Sequence, residues 1–316
     1  DIVGNTVTQC TTGIEVIDGG INEISDNEVR HSGHGIYLTD SSSIMNNNVI
    51  MFNDNYALAQ HGDCHPAYSS NFIAGNEYQG VAVTGPIHTD TVWQNIGIPY
   101  VLLEDFVVDE EVTLTVNPGV IIKFEYDHRT ESGGYEFTIR LLVNGILDAE
   151  GTSDDPIVFT SIRDDMAGGD TNGDGNATTP QGGDWYNIEF HDSFYESSSY
   201  IDHVIIRYAG GALYFDQADI TIENSDISRS SSSGISVHNA SPTITACEIW
   251  GNTSDGIYAW DAADVTATFN KISTNGSDGI HITNSSTCTA TNNEFLMNRG
   301  FGIRNETTEP IDASQC

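Results

Sequence analysis

Positive charge is what this chain most lacks: 10 Lys plus Arg stand against 46 Asp plus Glu in 316 residues, for a formal net charge of −36. So acidic a surface repels nucleic acid, anionic lipid and polyanionic substrates such as pectate, and it favours divalent cations. It also keeps an elongated particle soluble, as in salt-adapted proteins. The sequence has no run of 18 apolar residues, so no membrane insertion is expected. The five cysteines, Cys10, Cys64, Cys247, Cys288 and Cys316, include no CxxC pair, which argues against a cysteine-based zinc site, and their odd number leaves at least one thiol outside any intrachain disulfide. A phosphate-binding Gly loop, a Ser-His-Asp arrangement, a haem motif and a basic nucleic-acid patch are all missing, which weighs against an enzyme. The chain starts without Met or a signal peptide and reads as a mature or excised segment of an exported protein. Six N-x-S/T sequons, at Asn176, Asn239, Asn252, Asn275, Asn284 and Asn305, point the same way, to an extracellular or cell-surface glycoprotein.

What the chain has in abundance is internal repetition. GISVHN, GIYAWD, GIHITN and GIRNET begin at Gly234, Gly256, Gly279 and Gly302, steps of 22, 23 and 23 residues, and GIEVID at Gly13 and GIYLTD at Gly35 repeat the 22-residue step. Apolar residues alternate over a few positions in each phrase, as in Ile280 and Ile282, which marks short strands with one buried face. A second short strand in each unit ends near Ile249, Ile272 and Phe295, and Asn252, Asn275 and Asn298 recur as turn residues. Brief strands, a 22- to 23-residue unit and recurrent turn Asn describe coils of an all-β, right-handed parallel β-helix, a solenoid in which equivalent Asn side chains form a ladder. The Leu-x-x-Leu-x-Leu pattern of a leucine-rich repeat is absent. Cys288 falls in register with Val265 and is expected to be buried and reduced. Cys247 and Cys316, three coils apart, stand too far from each other for a disulfide within one straight subunit.

These coils resemble the parallel β-helix repeats of the pectate-lyase-like superfamily, over roughly residues 5–98 and 185–316, and the resemblance is to a surface protein of that fold. Three segments are distinguished: coils over 1–98, opening coils with an acidic loop over 99–184, and coils over 185–316. The opening coils read as longer strands, YVLLEDFVV, VTLTVNPGVIIKF, IRLLVNGILDAEGT and DPIVFTSI, punctuated at Pro118-Gly119 and Asn144-Gly145. They resemble the start of a β-helix domain found in large microbial surface proteins. The loop that follows runs from Arg163 to Trp185. Its Asp170, Asn172 and Asp174, followed by Gly175, reproduce the D-x-N-x-D-G opening of a calcium loop, without the Glu at position twelve or the flanking helices of an EF-hand. Asp164, Asp165 and Asp184 are placed to complete the oxygen shell, so calcium is the expected cofactor.

Candidate catalytic residues are few. Arg207, on HVIIRYAGG, is the nearest approach to the basic group of a lyase but lacks the surrounding motif, and His34, in SGHGIYL, lacks the companion elements of a polygalacturonase and is expected in a turn. Asp127-His128 and Asp202-His203 are adjacent pairs whose side chains point to opposite faces of a strand, which makes them structural. Tyr37, Tyr56, Tyr258 and Trp260 are candidates for a sugar-stacking platform. The termini match each other: Cys316 read into Asp1–Thr6 gives CDIVGNT, the counterpart of CEIWGNT at Cys247. From this follows the leading expectation, a structural extracellular filament or surface-layer component whose units join copies of themselves head to tail, covalently or by stacking. An adhesin or carbohydrate-binding module, with glycans as partners, is the alternative, and a polysaccharide lyase or hydrolase the second.

Overall fold

The computed structural model describes residues 1–20, 22–126, 139–191 and 198–314, and every named element in them is a β-strand. Among the described residues, thirty-six short strands wind through about twelve turns, three strands to a turn, and strands one turn apart pair in parallel. A 12-stranded sheet, here the long sheet, runs the length of the solenoid from Thr12–Ile17 to Glu294–Leu296. Two four-stranded sheets complete the first turns, and two eight-stranded sheets complete the rest. One of these, from Phe106–Val108 to Ile303–Asn305, is called the platform sheet below.

Each turn closes because a few apolar side chains point inward and stack on their equivalents. Ile235, Ile257 and Ile280 form one such file and Ile227, Ile249 and Ile272 another, all fully buried. Each buried Ile contributes about 1.5–3 kcal/mol relative to exposure. The coils therefore carry a third strand that the two-strand reading missed: Thr243–Thr245, Asp264–Thr268 and Thr287–Thr291. Thr-rich alternation obscured it, since each offers only one or two apolar residues to the core. Val265 pairs with Cys288, which is 3% exposed, as the register expects. Cys316 lies outside the described residues, as do Asp127 and His128.

The asparagine ladders form as the spacing predicts. Asn275 Oδ1 accepts from both the backbone N and Nδ2 of Asn252 at 3.1 Å, and Asn298 Oδ1 does the same for Asn275 at 3.1 and 3.0 Å. Asn27, Asn48 and Asn71 repeat the device in the first turns. The residue before a rung is left-handed, as at Thr274 (φ 55) and Asn292 (φ 58). That conformation is costly for a β-branched residue, and the buried amide that caps the corner offsets it.

Two expectations are corrected. The longer strands of 99–163 are broken at corners: YVLLEDFVV divides into Tyr100–Leu102 and Phe106–Val108, and VTLTVNPGVIIKF into Thr113–Val116 and Ile121–Phe124. An apolar run that turns a corner keeps both halves facing inward, so its continuity reflects burial and not strand length. The two sets of Gly-Ile phrases also lie on different faces. Those at Gly13 and Gly35 belong to the long sheet, whereas those at Gly234, Gly256 and Gly279 lead into the platform sheet. Between them the step along the long sheet changes from 19 residues (Val81 to Tyr100) to 37 (Ile122 to Phe159) and 47 (Phe159 to Ile206), so repeat phase is not conserved across the middle.

Candidate functional site

The 47-residue turn holds the acidic loop, which folds back over the outside of the long sheet. Gln79 N donates to Thr171 O at 3.1 Å, and Lys123 Nζ, buried beneath, donates to Gly169 O at 2.8 Å. Burial pulls the Lys123 ammonium down to about 8, against the opposing pull of Asp164, Asp165 and Asp170. The six predicted ligands separate into two groups. Asp164 is gripped by Arg207, with Nη2 and Nε at 2.6 and 2.7 Å, and by the Thr160 hydroxyl at 2.7 Å. Asp184 pairs with Arg163 at 3.1 Å and accepts from the Ser161 hydroxyl at 2.7 Å. These two carboxylates clamp the loop to the sheet. Asp165, Asp170 and Asp174 instead converge, one ligand atom of each lying within 4.8 Å of the others. Asn172 Nδ2 donates to Asp174 Oδ2 at 3.0 Å, while Asn172 Oδ1 and Asp165 Oδ1 are shielded from solvent with no hydrogen-bond partner. Partial burial first, and then Asp170, pushes the Asp165 carboxyl above its ordinary range. Hard oxygens crowded together, two of them orphaned, suit a Ca²⁺-type ion.

The remaining candidates are dispersed. Arg207 is committed to Asp164 through Nε and Nη2. His34 is the first residue of a strand rather than a turn residue, edge-on to Tyr37 with ring centroids 6.1 Å apart. Tyr56 is buried and stacks on Tyr78 at 4.9 Å within an apolar seam that also takes in Ile162, Tyr37 and Tyr126, so neither Tyr56 nor Tyr37 belongs to an open platform. Two sequons, Asn252 and Asn275, are ladder rungs 1% exposed, and their amides are already used inside. Asn176, Asn239, Asn284 and Asn305 are exposed.

Tyr258 and Trp260 do come together, on the outer face of the platform sheet. Register brings Glu189, Tyr214, Ser236, Tyr258 and His281 into one outward row and His191, Asp216, His238 and Trp260 into the next. The Trp260 ring lies parallel to Tyr214 (6.0 Å, 1°) and stacks with Tyr258 (5.0 Å, 20°) and His238 (5.3 Å, 23°). Beside them a groove of about 480 Å³ is walled by Tyr186, Tyr214, Trp260 and the serines at 231, 232 and 236. A ladder of acids and bases runs alongside: Arg140 to Glu189 at 2.8 Å, Glu189 to His191 at 2.8 Å, His191 to Asp216 at 3.9 Å, and Asp216 to His238 at 2.7 Å. Burial, and secondarily Asp216, raises the Tyr214 hydroxyl, which stays a hydrogen-bond donor at neutral pH. Tyr214, Asp216 and His238 escape sequence reading because the rows are assembled across turns. Their signal is the pair of outward positions two and four after the Gly-Ile-type start of each strand.

With this geometry in hand, comparison with known families is decisive for the fold. Residues 1–94 and 193–316 match the model described as a right handed beta helix region. The chain belongs to that family. Residues 85–222 match the model of a pectate-lyase like beta helix domain, so the opening coils and the acidic loop fall within that likeness. No curated protein and no solved structure matches the chain. Right-handed β-helices serve unrelated functions on one scaffold, so activity has to be argued from the outer faces.

Proposed function

We propose that this β-helix is an extracellular or cell-surface carbohydrate-binding module whose site is the outer face of the platform sheet. The observation that carries the reading is the Tyr214–Trp260–Tyr258 cluster beside a serine-walled groove. Aromatic faces carry partial negative charge and attract the C–H edges of a sugar ring, while hydroxyls and carboxylates at the rim orient its O–H groups. The preferred glycan is neutral, because a net charge of −36 opposes a polyuronate. Successive turns are about 4.8 Å apart, so a linear chain laid along the solenoid meets the same surface more than once. The acidic loop is assigned a supporting part: Ca²⁺ held by Asp165, Asp170, Asp174 and Asn172 Oδ1 neutralises the crowded carboxylates and holds the loop on the long sheet. The head-to-tail filament remains a separate proposal resting on the matching sequence phrases alone, and the platform reading is preferred because it rests on geometry.

Affinity electrophoresis through gels containing neutral β-glucan, xylan or polygalacturonate tests this. Retardation by a neutral glycan, lost in Trp260→Ala and unaffected in Tyr56→Phe, is the expected result. Equal mobility of wild type and Trp260→Ala in every gel would overturn it. Release of new reducing ends from the bound glycan would instead make His238 and Asp216 the acid-base pair of a hydrolase.

A further inference from the structure

Two turns share a phrase that their neighbours lack. Ser254-Asp255-Gly256-Ile257 recurs 23 residues on as Ser277-Asp278-Gly279-Ile280, where the turn before has Ser233 and the turn after has Phe301. Asp255 and Asp278 are consequently adjacent rungs, 6% and 1% exposed. One oxygen of each caps the following turn: Asp255 Oδ1 accepts from Asp278 N at 2.8 Å, and Asp278 Oδ1 from Phe301 N at 2.6 Å. Asparagine accepts a backbone N–H of the neighbouring, preceding turn without charge at Asn275 and Asn270 in the same molecule. Capping therefore does not explain why two carboxylates are stacked in buried positions, where like charges cost free energy.

The second oxygens supply the reason. Asp278 Oδ2 is buried without a hydrogen-bond partner, and the closest guanidinium nitrogen, Arg304 Nη1, is 3.7 Å away, beyond hydrogen-bond reach. Asp255 Oδ2 faces His281 Nδ1 at 3.5 Å, and His281 Nε2, also without a hydrogen-bond partner, stands 3.5 Å from Glu306 Oε2. One ligand atom from each of Asp255, Asp278 and His281 lies within 4.8 Å of the other two. Ligands on a tetrahedral ion with bonds of about 2.1 Å stand about 3.4 Å apart. A 3.5 Å gap, too long for a hydrogen bond, suits two atoms that share one ion.

We propose that Asp255, Asp278 and His281 form a binding site for a borderline divalent transition cation of the Zn²⁺ type, separate from the acidic loop. The imidazole distinguishes it from the all-oxygen loop and selects for Zn²⁺-like ions over Ca²⁺. The ion neutralises the stacked carboxylates, Glu306 orients the imidazole through its other nitrogen, and Arg304 pairs with Glu306 at the rim. Ring centroids of Tyr258 and His281 are 5.2 Å apart, so the ion would adjoin the aromatic platform. The proposal does not depend on glycan binding.

The test is titration of chelator-stripped protein, in excess Ca²⁺ to saturate all-oxygen sites, with Zn²⁺ by calorimetry and with Co²⁺ by visible absorption. The expected result is one Zn²⁺ per chain and an intense Co²⁺ spectrum of low coordination number. Both are lost in His281→Gln and in Asp278→Asn, which keeps the cap on Phe301. Glu306→Gln weakens Zn²⁺ binding roughly 10- to 100-fold, and His238→Gln leaves it unchanged. His281→Gln is the decisive variant because its half-buried side chain is replaceable without unfolding, which an unchanged melting temperature in chelator verifies. Absence of binding in the wild type, or Zn²⁺ binding that survives His281→Gln, overturns the proposal. Loss in His238→Gln overturns it as well, by moving the ion to the platform ladder.

Discussion

Two outer faces of this solenoid carry aromatic residues, and among the described residues one is covered and the other open. On the long sheet, Tyr37, Tyr56 and Tyr78 lie in a seam with Ile162 and Tyr126, and the acidic loop crosses nearby through Thr171 and Gly169. On the platform sheet, Tyr214, Tyr258 and Trp260 have no chain laid over them among the described residues, and they border a groove. The strands beneath are built by the same repeat. What differs is the 47-residue turn, which spends its extra length covering one face. Aromatic residues at equivalent repeat positions therefore pack in one place and are available to bind in the other.

The largest effect expected from breaking this contrast comes from releasing the loop. Arg207→Ala leaves Asp164 buried without its cation and should cost about 3–5 kcal/mol, read as a lower melting temperature in calorimetry. A loss below about 1 kcal/mol would mean that the loop is not held by this pair. Next in size is the ladder. Asn275→Ala strips the acceptor from the buried N–H of Asn252 and should cost about 1–3 kcal/mol, in denaturant melts. On the calcium reading, chelator should lower the melting temperature of wild type, and Asp174→Ala should remove the difference between chelated and Ca²⁺-loaded samples. Equal melting of wild type with and without chelator would count against a bound ion. Trp260→Ala sharpens the comparison from the open side: stability should change by no more than about 1 kcal/mol while glycan retardation disappears.

The smallest effect is a chemical one. Burial raises the Cys247 thiol to about 12, so native protein at pH 8 should take up iodoacetamide at exposed Cys10 and not at Cys247, Cys64 or Cys288. Because the folded thiol holds its proton more tightly than the unfolded one, its contribution is complete below about pH 9 and is lost as pH rises through about 12. Mass spectrometry of peptides labelled at pH 8 reports the pattern, and equal labelling of Cys10 and Cys247 would contradict the burial.

Much of this was legible in the residues alone. The 22- to 23-residue step puts Asn252, Asn275 and Asn298 on adjacent rungs and Val265 opposite Cys288, because a solenoid turns constant sequence spacing into direct contact. The convergence of Asp170 and Asp174 was readable from a local motif. Harder to read were the third strand of each turn, hidden by Thr, and the functions of Asp164 and Asp184, which depend on arginines at positions 207 and 163. The Asp255–Asp278–His281 cluster needed both the 23-residue step and the outward direction of His281, two facts that no single stretch of sequence contains.

By itself, then, the sequence determined the kind of object: all-β, parallel, acidic and stacked in turns of near-constant length, since periodic apolar residues and turn Asn leave few other ways to bury a core. Tertiary structure alone decided which face is covered, on which sheet each Gly-Ile phrase falls and which carboxylates are clamps. Those outcomes hang on insertions of irregular length whose path over the surface is set by a few long-range contacts, such as Arg207 to Asp164 and Lys123 to Gly169, and not by the repeat.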